Sequence, residues 1–68
     1  MKSVIKVYDM GKSKDVIKVQ SAISVIEGII ACEISLEKKE IQVIYNENFV
    51  NLDSIITSIE NVGYIVLE

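Results

Sequence analysis

Cys32 is the only thiol in this chain, and the chain has no histidine, arginine, tryptophan or proline. A lone cysteine closes no intrachain disulfide. Without a histidine or a second cysteine there is no conventional Zn, Cu or Fe site built from soft or borderline ligands. A Cys–His or Ser–His–Asp nucleophile is equally out of reach. The missing arginine removes the bidentate clamp on which many phosphoryl enzymes rely. On this inventory the chain reads as a non-enzyme. Asp9, Asp15 and Asp53, with the Asn46-Glu47-Asn48 stretch, are the oxygen ligands available to a hard cation such as Mg or Ca, but they lack the close spacing of a dedicated loop. Lys12, Lys14 and Lys18 cluster around Asp15, and they are the other group whose spacing could matter.

The charge is unevenly spread. Residues 1 to 18 carry five lysines against Asp9 and Asp15, whereas the remainder carries Lys38 and Lys39 against eight acids. A positive end on an acidic body can steer a docking partner, although two solvated faces of unequal sign explain the same numbers. The net charge of −3 argues against a nucleic-acid partner. The first residues alternate lysine with apolar side chains and lack the unbroken apolar run of a signal peptide. No stretch approaches a membrane span, so membrane insertion is not expected. A single thiol and no disulfide fit a reducing, cytoplasmic setting.

The 68 residues are enough for one domain, residues 1–68, and half of them are apolar. Val4, Ile5, Val7 and Tyr8 mark a first strand over about residues 2 to 8. Met10 and Gly11 then break the pattern, and Ser13 is the expected N-cap of a helix over about 14 to 26, with Asp15 in its first turn. Val16, Val19, Ala22, Ile23 and Ile26 recur at helical spacing, and Gly28 is the expected stop. Ile30, Cys32, Ile34 and Leu36 alternate with polar or small residues as a half-buried strand, which makes Cys32 a small buried hydrophobe. Glu37-Lys38-Lys39-Glu40 forms the turn to a third strand through Ile41, Val43 and Tyr45, without the Gly or Asn that such a turn prefers. Asn51 caps a second helix over about 52 to 61, Gly63 ends it, and Tyr64 to Leu67 form a last strand. This order predicts an α+β, ferredoxin-like βαββαβ sandwich: a four-stranded antiparallel sheet, strands one and three central, with both helices on one face.

Met10, Val16, Val19, Ala22, Ile23, Ile26, Gly28 and Ile29 resemble, position for position, the first loop and helix of heavy-metal-associated, copper-chaperone-like domains. The paired strands and the second helix with its Gly63-Tyr64 continue the resemblance over about residues 3 to 67. In that family a Met precedes two cysteines separated by two residues, and their thiolates bind Cu(I). Here Lys12 and Asp15 stand at those two positions. A protonated lysine does not ligate a metal, and a carboxylate is a hard ligand ill-suited to Cu(I).

The resemblance therefore implies a degenerate member: a docking or regulatory module within or descended from metal homeostasis, with no cofactor expected. Cu(I) or Zn enters only through unconventional ligands. The expected docking loop comprises Met10, Gly11, Lys12, Ser13, Lys14, Asp15 and Lys18, with Tyr64 covering it, and the expected partner is another protein. Met10 is read as core filler beneath that loop. The lysines there are a small misfit, since cations at a helix N-terminus are mildly unfavourable. Two other readings share the fold: a metal-binding protein with unconventional or intersubunit ligands, and a small-molecule-sensing regulatory module. Open strand edges near Ile30 and at residues 64 to 67 leave the chain a monomer or a weak dimer.

Overall fold

The structure is a computed structural model that describes residues 1–67. Its elements run β1 (Lys2–Val7), α1 (Ser13–Ser24), β2 (Ile29–Ser35), β3 (Glu40–Tyr45), α2 (Leu52–Asn61) and β4 (Val66–Leu67). The sheet order is β2-β3-β1-β4, and all three pairings are antiparallel. The expected architecture is therefore present, with β1 and β3 in the centre.

Strand alternation and helical periodicity meet in one core. Ile5 and Val7 from β1 and Ile41, Val43 and Tyr45 from β3 point inward; Lys2, Val4, Lys6, Gln42 and Ile44 point the other way. The two helices cover the inward face with Val19, Ile23, Ile55 and Ile59, all fully buried. Each such aliphatic side chain contributes about 1.5–3 kcal/mol on leaving water, which is why period-2 and period-3.6 patterns can specify one interior. The second helix spans the predicted residues. Its Asn51 side chain accepts the Ser54 N–H at 2.8 Å, closing the N-terminus as expected.

Four local expectations need correction. The first helix is capped at Lys12 rather than Ser13, because the Asp15 carboxylate reaches back to the Lys12 N–H and makes Lys12 the last extended residue. That helix also ends earlier, at Ser24, and residues 25–28 form a turn. Gly28 consequently does not close the helix. It leads into β2 with φ of 99°, and an added Cβ would lie 2.9 Å from the Phe49 Cβ. Its carbonyl accepts the Asn46 N–H.

The third correction concerns Ile30, which is exposed. An irregularity between Ile29 and Ala31 inserts one extra residue into β2, so the buried phase runs Ile29, Cys32, Ile34 rather than starting at Ile30. The fourth concerns the strand ends. Residue 8 lies beyond β1, and β4 keeps only Val66 and Leu67, since Asp9 takes the Ile65 N–H that would otherwise face the sheet.

The β2–β3 turn manages without glycine by placing Lys39 at φ of 54°. Ser35 Oγ accepts the Lys38 N–H, and the Leu36 carbonyl accepts that of Lys39. Among the described residues no helix is long and apolar enough to cross a membrane.

Candidate functional site

The loop between β1 and α1 is built by one carboxylate. Asp15 Oδ2 accepts the N–H groups of Gly11 and Lys12, each at 3.0 Å, while Oδ1 accepts the Tyr64 hydroxyl at 2.6 Å. These bonds favour the anion; the Tyr64 hydroxyl is the strongest cause, and together they lower the Asp15 pKa to about 2. Tyr64 responds in the opposite sense. Burial, followed by the adjacent Asp15 and Asp9 carboxylates, pushes its phenol up to about 12. Asp9 anchors the next residue, accepting the Ile65 N–H at 2.9 Å.

The expected docking residues divide by depth. Met10 is fully buried, so it supports the loop from beneath and touches no partner. Gly11, Lys12, Ser13, Lys14 and Lys18 are exposed, Asp15 is half-buried, and Tyr64 is buried at the edge of the core. The structure thus brings the eight residues to one end of the molecule, with five of them facing outward.

The donor set does not fit Cu(I). Lys12 presents an ammonium, Asp15 has its oxygens committed to three donors, and the Met10 sulfur lies under the loop. Cys32 sits mid-strand opposite Val43, half-buried against the core, and burial raises its pKa above the ordinary thiol value. Nor do the oxygen ligands assemble. Asp9 and Asp15 lie at the loop end, whereas the Asn46-Glu47-Asn48 turn follows β3 at the opposite end of the sheet, and Asn46 Oδ1 accepts the Asn48 N–H. Among the described residues no group of three His, Cys, Asp or Glu side chains converges.

Sequence reasoning missed two contributors to this end. The Lys38-Lys39 turn folds back beside the end of β1, where Val7 donates its N–H to the Lys39 carbonyl at 3.0 Å. Ile17, on the exposed side of α1 between Lys14 and Lys18, is also largely solvent-facing. A helical wheel would have found Ile17, which lies off the buried stripe. No local signal places Lys39 next to Tyr8.

The fold and loop define the chain as a ferredoxin-like βαββαβ domain whose distinctive surface is the β1–α1 loop and its Tyr64 cover. No protein-family model matches the chain, and no curated protein does. Solved structures do. The CopZ metallochaperone superposes with a TM-score of 0.95 at 25% identity, over 98% of this chain and 100% of that one. The yeast copper transporter domain Ccc2a, solved in apo and Cu(I) states, gives 0.89 at 31% identity, over 96% and 89%. A chain of the Atx1–Cu(I)–Ccc2a complex gives 0.85 at 30% identity, over 97% and 90%. The chain belongs to the heavy-metal-associated, copper-chaperone-like domains.

Proposed function

We propose that this chain is a non-enzymatic docking module of the heavy-metal-associated kind, one that presents its first loop to an acidic partner protein without carrying a metal ion. The observation that carries the reading is the Asp15 hydrogen-bond set. At a position the resemblance assigns to a metal-binding thiolate, a carboxylate ties the loop to Tyr64, Gly11 and Lys12. Bound metal is not needed to hold the loop closed, and Lys12 supplies a fixed positive charge beside it. The Atx1–Cu(I)–Ccc2a complex is an assembly of two proteins with Cu(I), and docking is the part of that behaviour the residues here still support. A reducing cytoplasm suits a chain with one free thiol.

An anaerobic Cu(I) competition titration on the reduced protein tests the loss of metal chemistry. The unaltered chain is expected to bind no more than background, and Lys12→Cys with Asp15→Cys is expected to restore tight one-to-one binding. Tight binding by the unaltered chain overturns the reading and favours a protein with unconventional or intersubunit ligands. The docking arm is tested by the Lys12→Ala, Lys14→Ala double variant, which should bind a soluble synthetic peptide of alternating Glu and Leu more weakly than the unaltered chain.

A further inference from the structure

We infer that the hairpin lysines Lys38 and Lys39 extend the docking face around Lys12, so that the face spans the sheet end and takes an acidic protein surface with apolar side chains at its centre. This rests on the docking reading above and adds a second, sequence-distant half to it.

Backbone pairing sets the face. Val7 donates to the Lys39 carbonyl on one side of the β1 end, and on the other side Tyr8 donates to the Ile65 carbonyl at 2.8 Å. Lys39 is thus level with Val7, and Tyr8 and Ile65 face each other one residue further on, so the three residues sit at adjoining strand ends. Tyr8 and Ile65 are 59% and 56% exposed, an apolar pair at the centre of a charged rim. The Lys39 ammonium lies 5.9 Å from the Tyr8 ring centroid, near the limit of a cation–π contact.

Charge accounting points the same way. Three carboxylates at this end are committed within the chain, Asp9 to the Ile65 N–H, Asp15 to three donors, and Glu40 to Lys6 at 3.5 Å, whereas Glu37 beside Lys38 is exposed and offsets part of the hairpin charge. Among the described residues Lys6–Glu40 is the one ion pair, so Lys12, Lys14, Lys38 and Lys39 meet solvent without a carboxylate partner. Lys39 also occupies a left-handed backbone position that glycine or asparagine fills at lower cost, so turn chemistry does not explain a lysine there. Tyr8 and Ile65 are held by sheet-end hydrogen bonds and not on an amphipathic helix able to sink among lipid headgroups. A net charge of −3 and the absence of arginine weigh against nucleic acid.

The test titrates the isotopically labelled full chain with the Glu/Leu peptide at low salt, followed by amide NMR, for the unaltered protein and four variants. The Lys38→Ala, Lys39→Ala variant should bind about fivefold more weakly, with peptide-induced shifts centred on residues 8, 12, 39 and 65. Lys2→Ala, at the opposite end of the sheet, should bind like the unaltered chain. Lys39→Gly should keep a folded spectrum and still lose affinity, which separates docking from folding. If Lys12→Ala with Lys14→Ala weakens binding and the hairpin variants do not, this inference fails and the docking reading stands. If neither pair matters, both fail. Tighter association with phosphatidylglycerol–phosphatidylcholine vesicles than with the peptide overturns the inference in favour of a lipid surface.

Discussion

Asp15 and Tyr64 are 49 positions apart and share the shortest side-chain hydrogen bond in the described structure. The signs of their shifts fix how the loop responds to pH. The Asp15 pKa is depressed on folding, so its contribution is whole above the ordinary value of 3.8 and is lost as pH falls through about 2. The Tyr64 pKa is raised, so its contribution is whole below the ordinary value of 10.0 and is lost as pH rises through about 12. The tie therefore persists across the whole physiological range, as expected of a permanent closure rather than a switch. Tyr64→Phe should move the Asp15 titration upward toward its ordinary value, read from the carboxyl carbon shift by NMR. An unmoved titration would show that the hydroxyl does not hold the carboxylate.

At the level of elements, three left-handed residues make a graded series. Gly28 and Gly63 have nearly the same φ, 99° and 98°, but only Gly28 is crowded, by Phe49 and Val50. Gly63→Ala should cost about 1–2 kcal/mol for the backbone alone. Gly28→Ala should cost about 2–4 kcal/mol, because the clash adds to the backbone term. Lys39→Gly should stabilise by about 0.5–1 kcal/mol, the relief of left-handed strain less the extra freedom of glycine in the unfolded chain. Urea midpoints for the three variants check the order. Equal losses for the two glycines would remove the crowding argument, and a destabilised Lys39→Gly would mean that the Tyr8 contact outweighs the strain. A stabilised Lys39→Gly that binds the acidic peptide less well would mark the turn as a place where docking is kept at the expense of stability.

For the molecule as a whole, stability rests on a thin core. A chain of this length carries only about 3–10 kcal/mol in total. Ile23 is fully enclosed, and Ile23→Ala should remove about 2–5 kcal/mol, enough to leave a substantial unfolded fraction on warming, as a circular-dichroism melt would record. A loss below 1 kcal/mol would mean that the helices close over the gap. The lysine end, by contrast, carries little stability, because exposed charges are screened by solvent and salt. Altering it should change association and leave the melt nearly untouched.

The amino-acid order by itself determined the sequence of elements, the alternating inward residues of β3, the span and Asn51 cap of α2, and a ligand inventory without a cysteine pair or histidine. All of these are local or compositional: a 3.6 or 2.0 period, a cap three residues from its acceptor, a residue that is absent. Tertiary structure alone decided the Tyr64–Asp15 tie, the phase change at Ile30 and the arrival of Lys38 and Lys39 beside Tyr8. Each of these depends on sheet register, which is set by which strands pair and where one extra residue enters the ladder, and local periodicity carries no record of either. The lysines counted with the acidic part of the chain thus belong, in space, to its basic end. The physical reason is the antiparallel hairpin, which returns residues 38 and 39 to the level at which β1 stops.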